Sequence, residues 1–155
     1  MKNKQKGFSL IELLIVVAII LIIAAIAIPN LLRAKMAANE ASAVASLRTL
    51  NTVLVEYSTT YGTDPSNLAS LKPATTPSST AADLVDNLLG ADPAVKSGYS
   101  ISYTAVSATP ITSYTLLATP SSTSTGQRKF FTDQSGVIRQ TTDGTTPSAS
   151  STPIG

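Results

Sequence analysis

Residues 7–28 read GFSLIELLIVVAIILIIAAIAI, and Pro29 follows directly. The run from Leu13 to Ile28 carries no polar or charged side chain. As an α-helix rising about 1.5 Å per residue, the 21 residues from Phe8 to Ile28 span about 31 Å, the hydrocarbon thickness of a bilayer. The stretch therefore predicts a helix that can cross a membrane.

The basic start of the chain meets this apolar run at Gly7, which follows Lys2, Lys4 and Lys6. An ordinary signal peptide has its small-residue cleavage site after the apolar core, whereas this small residue precedes the core. Cleavage after Gly7 would remove the basic leader and leave the apolar helix on the mature chain. The sequence predicts cleavage between Gly7 and Phe8, and the lysines predict a cytoplasmic N-terminus.

Glu12 is the only ionisable side chain between Lys6 and Arg33. Because a carboxylate deep in a bilayer costs about 2.5 to 3.5 kcal/mol on insertion scales, Glu12 needs water or a partner. Two interpretations follow from the residues alone. Glu12 snorkels to the lipid headgroups, or it pairs with the α-amino group that cleavage creates at Phe8 of an adjacent copy.

The segment Gly7-Phe8-Ser9-Leu10-Ile11-Glu12-Leu13 closely resembles the class III signal of type IV pilins and type II secretion pseudopilins. Pro29 falls where those families have a helix-bending proline, and the resemblance extends to about Tyr61. It implies that a prepilin peptidase cuts after Gly7 and methylates the new amine of Phe8. It also implies that Glu12 and Phe8 guide assembly of a helical filament, driven by an ATPase through a membrane platform.

The composition argues against several other classes of protein. Three of the eleven basic residues are leader lysines, so eight remain against nine acidic residues and the balance does not predict nucleic-acid binding. With neither cysteine nor histidine, the chain has no thiolate metal site and no histidine-based catalytic triad. We therefore expect no enzyme, no cofactor and no metal site. Many type IV pilins close a C-terminal loop with a disulfide, and this sequence departs from that pattern.

Beyond Pro29 the helical pattern becomes amphipathic. Arg33, Glu40, Ser42, Thr49 and Glu56 are expected on the polar face. The apolar face is expected to consist of Ala37, Ala41, Val44, Leu47, Leu50, Leu54, Tyr57 and Tyr61. One helix from Phe8 to Tyr61 would be about 80 Å long, with a kink or loosened turn near Pro29 because proline lacks an amide hydrogen.

After the helix the chain changes to loop and strand patterns. Asp64-Pro65 predicts a short helical turn through Leu71, and Thr80-x-x-Asp83 fits a capping box opening a helix over 84–89. A two-residue period from Tyr99 predicts the first of four strands, at 99–104, 114–118, 128–132 and 136–141. The segment 133–136 is read as a hairpin turn rather than a calcium loop, because it offers too few carboxylates.

The predicted fold is α+β, a long helix packed by its second half on an antiparallel meander of about four strands, as in pilins. The expected divisions are a leader (1–7), a membrane or filament-core helix (8–28), an amphipathic helix (29–61), an αβ-loop (62–98), a sheet (99–141) and a flexible tail (142–155).

Three classes of function remain open. The first is a pilus subunit that is a single-pass inner-membrane precursor and then part of an extracellular fibre. The second is a pseudopilin, although tryptophan and an acidic calcium loop, usual in the major secretion pseudopilin, are absent. The third is a membrane-anchored binding domain that never polymerises.

Overall fold

The structure, a computed structural model, describes residues 7–154. The predicted leader lysines, Lys2, Lys4 and Lys6, lie outside the described residues, and so does Gly155. The chain divides into two compact units, with the boundary between Lys35 and Met36. Residues 36–154 are called the globular unit below.

One helix, α1 (Leu10–Tyr61), occupies 52 residues. Its last residue is Tyr61, as the sequence predicts, and Gly62 closes it. The Gly62 amide donates to the Ser58 carbonyl at 2.9 Å, and Gly62 has a φ of +72°. A left-handed residue closes many helices, and glycine adopts that conformation without a Cβ penalty. The helix continues through Pro29, and the kink stays a prediction.

The globular unit contains a six-stranded antiparallel sheet in the order β1 to β6. The strands are β1 (Ala94–Lys96), β2 (Tyr99–Ala105), β3 (Tyr114–Pro120), β4 (Lys129–Asp133), β5 (Arg139–Thr141) and β6 (Thr152–Pro153). The α+β class and the meander are confirmed. The sheet has two more strands than the four predicted, because the short strands β1 and β6 extend it at its edges.

The C-terminal segment, expected as a flexible tail over 142–155, supplies the last of these strands. Thr152 pairs with Gln140, and the Ile154 amide donates to the Ile138 carbonyl at 2.9 Å. The side chain of Ile154 packs against the core, and this burial gives the end of the chain a reason to be ordered.

The core lies between the sheet and the part of α1 within the globular unit. Its members include Leu47, Leu50, Leu54 and Tyr57 on the predicted apolar face of α1, and Tyr99, Ile101, Tyr103, Leu116, Phe130 and Ile138 in the four predicted strands. Val44 was also predicted on the apolar face of α1 and is only partly buried. Alternate residues of β2 and β3 are buried, which is the two-residue period expected of a sheet with one covered face.

The connection between α1 and the sheet differs from the prediction. A 3₁₀ helix spans Leu68–Leu71 and is capped by Asn67, whose side chain accepts from the Ser70 amide, rather than by Asp64. The capping box at Thr80 opens no helix over 84–89. The amides of residues 82–85 donate instead to the carbonyls of residues 70–72, and Asp83 has a φ of +57°, so the backbone here pairs with the preceding segment and does not start a helical turn.

Candidate functional site

The predicted cleavage point lies in open, non-helical backbone at the start of the described chain. Gly7 to Ser9 precede α1, and the side chain of Phe8 is 82% exposed. A Cβ added at Gly7 would meet no atom of residues 8–154 within 4 Å, and the φ of Gly7 is not in the left-handed region. Nothing in this fold requires glycine at position 7, so a requirement for glycine would have to come from a molecule that acts on the chain.

Glu12 is joined to the start of the helix by a hydrogen bond. The Ser9 amide donates to Glu12 Oε2 at 2.9 Å, and the Leu13 amide donates to the Ser9 carbonyl at 3.2 Å. Ser9 is therefore the N-cap residue and Glu12 the N3 residue of a Ser-x-x-Glu capping arrangement. The bond holds the carboxylate beside the backbone that leads to Phe8.

The helix that follows Glu12 is apolar on every side. Leu13, Leu14, Ile15 and Val16, which together cover a full turn, are between 47% and 59% exposed. Among the described residues this helix is the one long and apolar enough to cross a membrane, and its most apolar window has no buried residue. A helix without a polar face needs lipid or other apolar helices around it.

The comparisons with known proteins point to the same segment. The family described as the prokaryotic N-terminal methylation motif matches residues 2–28. Over 47 residues the chain is 60% identical to the type IV wide pilus major component PilA4 of Thermus thermophilus. The N-terminal segment of this chain therefore carries the methylation motif and is similar to the corresponding segment of a type IV pilus component. The aligned part covers 30% of this chain and 35% of that relative, and no solved structure matches.

Within residues 7–28 the predicted site residues lie near one another at the start of α1, but they do not form a closed site. Gly7, Phe8 and Glu12 lie within the first turn of α1 and the three residues before it. Cleavage, methylation and pairing remain predictions about these residues. Sequence reasoning missed the part played by Ser9, although Ser-x-x-Glu before an apolar run is a recognised signal for a helix start.

A second set of polar contacts, in the globular unit, joins α1 to β4. Glu40, expected on the exposed face of the helix, is 8% exposed. Its carboxylate accepts from the Gln127 amide at 2.9 Å, the Arg128 amide at 3.2 Å and Arg128 Nε at 2.7 Å. Burial alone would raise the pKa of Glu40, but these donors outweigh it, so its pKa lies below the usual value.

The Glu40 contacts belong to a wider set that fixes the loop between β3 and β4. Asn39 Nδ2 donates to the Thr125 carbonyl at 2.9 Å, and Arg128 Nη1 donates to Gln140 Oε1 at 2.9 Å. The result is a continuous polar connection from α1 through Arg128, the residue before β4, to β5. It is a structural feature of the globular unit, and no cluster of three acidic or metal-binding side chains occurs among residues 7–154.

Proposed function

We propose that this chain is a structural subunit that a prepilin peptidase cleaves between Gly7 and Phe8 and that then polymerises into a type IV pilus. The observation that carries the proposal is the fully exposed apolar helix that follows the capped Glu12. The methylation motif over residues 2–28 and the similarity to a pilus component support it.

The physical argument for a filament starts from the apolar segment. In the membrane, lipid covers residues 13–28 on all sides. Outside the membrane the same surface is buried only among equivalent segments of other copies, and a heterologous contact that does not close generates an open helix. The core of the fibre would then be a bundle of identical helices.

Leaving the membrane gives little free energy by itself. A buried leucine gains about 1.5 to 3 kcal/mol relative to water, but lipid is as apolar as the neighbouring helices. Extraction therefore requires work, which fits the assembly platform and cytoplasmic ATPase implied by the resemblance. The precursor would sit in the inner membrane with its N-terminus in the cytoplasm, and the mature subunit in an extracellular fibre for adhesion, motility or DNA uptake.

The experiment is intact-mass analysis of fibres sheared from the cell surface and imaged by electron microscopy. The subunit mass should correspond to residues 8–155, with one added methyl group on Phe8. A mass corresponding to a subunit that begins at Met1, or after residue 28, would contradict the proposed processing.

Position 7 gives a matched pair of variants. Gly7→Val should leave uncut precursor in the membrane, and Gly7→Ala should be cut more slowly than the parent. A Cβ at position 7 would contact none of residues 8–154, so we expect the size of the side chain to affect only the peptidase. Equal processing of the parent and Gly7→Val would contradict cleavage at this bond.

The second candidate is a pseudopilin of a secretion or competence apparatus, which shares all of the N-terminal chemistry. Recovery of long sheared fibres containing the chain favours the pilus, and a product confined to the periplasm favours the pseudopilin.

A further inference from the structure

A cavity of about 300 Å³ lies in the globular unit beside the C-terminal end of α1. None of the residues that line it belongs to residues 7–28 or to the Glu40 contacts. The residues that matter here are Val55, Ser58, Thr63, Asp64, Thr112 and Tyr114.

Asp64 is a buried acid without a cationic partner in this cavity. The residue is 8% exposed, yet its carboxylate accepts no hydrogen bond from residues 7–154. The described chain has no side-chain oxygen that is both sealed from solvent and without a hydrogen bond. The carboxylate oxygens of Asp64 therefore keep some contact with solvent, and Asp64 is one of the residues that line this cavity.

Tyr114 shows the same combination of burial and a free polar end. Three other buried tyrosines, Tyr57, Tyr99 and Tyr103, each donate their hydroxyl hydrogen to a backbone carbonyl at 2.6 to 2.8 Å. The hydroxyl of Tyr114, which is 4% exposed, has no such partner among residues 7–154. Two buried residues whose polar groups lack partners among residues 7–154 thus line one cavity.

The electrostatics favour a positive ligand. Burial raises the pKa of Asp64 because the ionised carboxylate is desolvated. Burial, followed by the charges of Asp64 and Asp133, raises the pKa of Tyr114 to about 12, so the hydroxyl stays neutral. A divalent metal ordinarily needs more carboxylates than Asp64 alone supplies. A monovalent organic cation needs one counter-ion and a few acceptors, and Val55 offers contact for its methylene groups.

We propose that this cavity binds a guanidinium or ammonium group, with the Asp64 carboxylate as its counter-ion and the Tyr114 hydroxyl oxygen as a second acceptor. Two sources supply that chemistry: a free small cation, or an arginine or lysine side chain of a second copy. Arg48 is exposed and its side chain makes no hydrogen bond to residues 7–154. The second source rests on the polymerisation proposed above, and the binding site itself does not.

The test uses NMR to monitor the full chain in detergent micelles during two titrations. One titrant is methylguanidinium, and the other is methylurea, its neutral counterpart of the same shape. Methylguanidinium should shift the signals of Ser58, Thr63 and Tyr114, and methylurea should not. Asp64→Asn should weaken binding at least tenfold, whereas Asp83→Asn, which removes an equal charge at an exposed position, should not.

The variants also separate binding from folding. If the Asp64 charge is not needed for the fold, Asp64→Asn should raise the unfolding temperature of the unliganded chain at pH 7, because it removes an uncompensated buried charge. Tyr114→Phe, which keeps the ring, should weaken binding by a smaller factor. Equal shifts with methylurea, no shifts at all, or full affinity in Asp64→Asn would each overturn the site.

Fibres distinguish the two sources. If a side chain of the neighbouring copy fills the cavity, methylguanidinium should bind the chain in micelles and fail to bind assembled fibres, and Arg48→Gln fibres should regain binding if Arg48 is that side chain. If the ligand is a free cation, fibres and micelles should bind equally. Failure of the chain to form fibres would contradict the proposed function and leave the micelle titration as a complete test of the site.

Discussion

At the scale of single residues, the position of Glu12 determines how its role can be tested. Its Oε2 accepts from the Ser9 amide at 2.9 Å, so the carboxylate serves the helix start whatever else it does. A glutamine at the same position keeps an acceptor for that amide and loses the charge, whereas alanine loses both. The two substitutions therefore separate capping from ion pairing.

We expect neither Glu12→Ala nor Glu12→Gln to build fibres as the only subunit, although both should be cleaved and stay in the membrane. Loss of the carboxylate leaves the ammonium of Phe8 on a neighbour unmatched in an apolar core, a defect of about 3 to 5 kcal/mol by analogy with broken buried ion pairs. The measurement is the number of fibres seen by electron microscopy beside the amount of processed subunit in the membrane.

The outcome for the glutamine variant decides between the mechanisms. Normal fibres from Glu12→Gln alone, with none from Glu12→Ala, would show that capping is sufficient. Normal fibres from both would rule out the pairing and agree with a carboxylate that only snorkels.

Residue chemistry also shows where sequence reasoning reached its limit at this site. Gly7 and Phe8 were found because they stand at the boundary between the basic leader and the apolar run. Glu12 was found because it is the only ionisable residue between Lys6 and Arg33. The hydrogen bond between Ser9 and Glu12 could have been predicted from the local Ser-x-x-Glu pattern, but it was overlooked. Glu40 was assigned to the wrong face because it is charged, although it lies four residues before Val44 and seven before Leu47 on the apolar side of α1. Its partner Arg128 is 88 residues away and could not be found from local sequence.

At the scale of secondary-structure elements, the pairing of α1 with β4 through Glu40 and Arg128 predicts pH-dependent stability. The pKa of Glu40 is lowered in the folded chain, so its contribution is complete above the unfolded value of 4.5 and is lost as the pH falls through the folded value. Glu40→Gln should therefore destabilise the globular unit at pH 7, and the difference from the parent should shrink toward pH 3.

We expect the loss at pH 7 to be about 1 to 2 kcal/mol, below the range for a fully buried charged hydrogen bond because the Arg128 side chain is over a third exposed. Chemical unfolding of the full chain in micelles, followed by tyrosine circular dichroism, gives the measurement. Glu56→Gln, on an exposed position of the same helix, is the control and should change little. A parent-to-variant difference that is the same at pH 7 and pH 3 would refute the linkage.

The elements that were predicted correctly are those whose signal lies within one segment. Alternation of Tyr99, Ile101 and Tyr103 with small polar residues marked β2, and the glycine after Tyr61 marked the end of α1. The edge strands β1 and β6 were missed because two or three residues are too few to show a period. Where a helix was expected over 84–89, the backbone of residues 82–85 instead pairs with residues 70–72 and Asp83 is left-handed, a tertiary preference that local propensity does not contain.

At the scale of the whole molecule, all buried hydrophobic side chains of the described chain lie in the globular unit. Residues 36–155, expressed without the preceding segment, should therefore fold as a soluble monomer. Circular dichroism should show mixed helix and sheet, and sedimentation should give a single monomeric species. A disordered spectrum would refute an independent unit, and a purely helical one would refute the sheet.

The chain end is closed without a covalent bond. Arg139 Nη1 donates to the Ser151 carbonyl at 3.0 Å, β6 pairs with β5, and Ile154 packs on the core of a protein that has no cysteine. Such a closure needs no oxidant and no disulfide isomerase. The globular unit can therefore reach the same folded state in a reducing or an oxidising compartment.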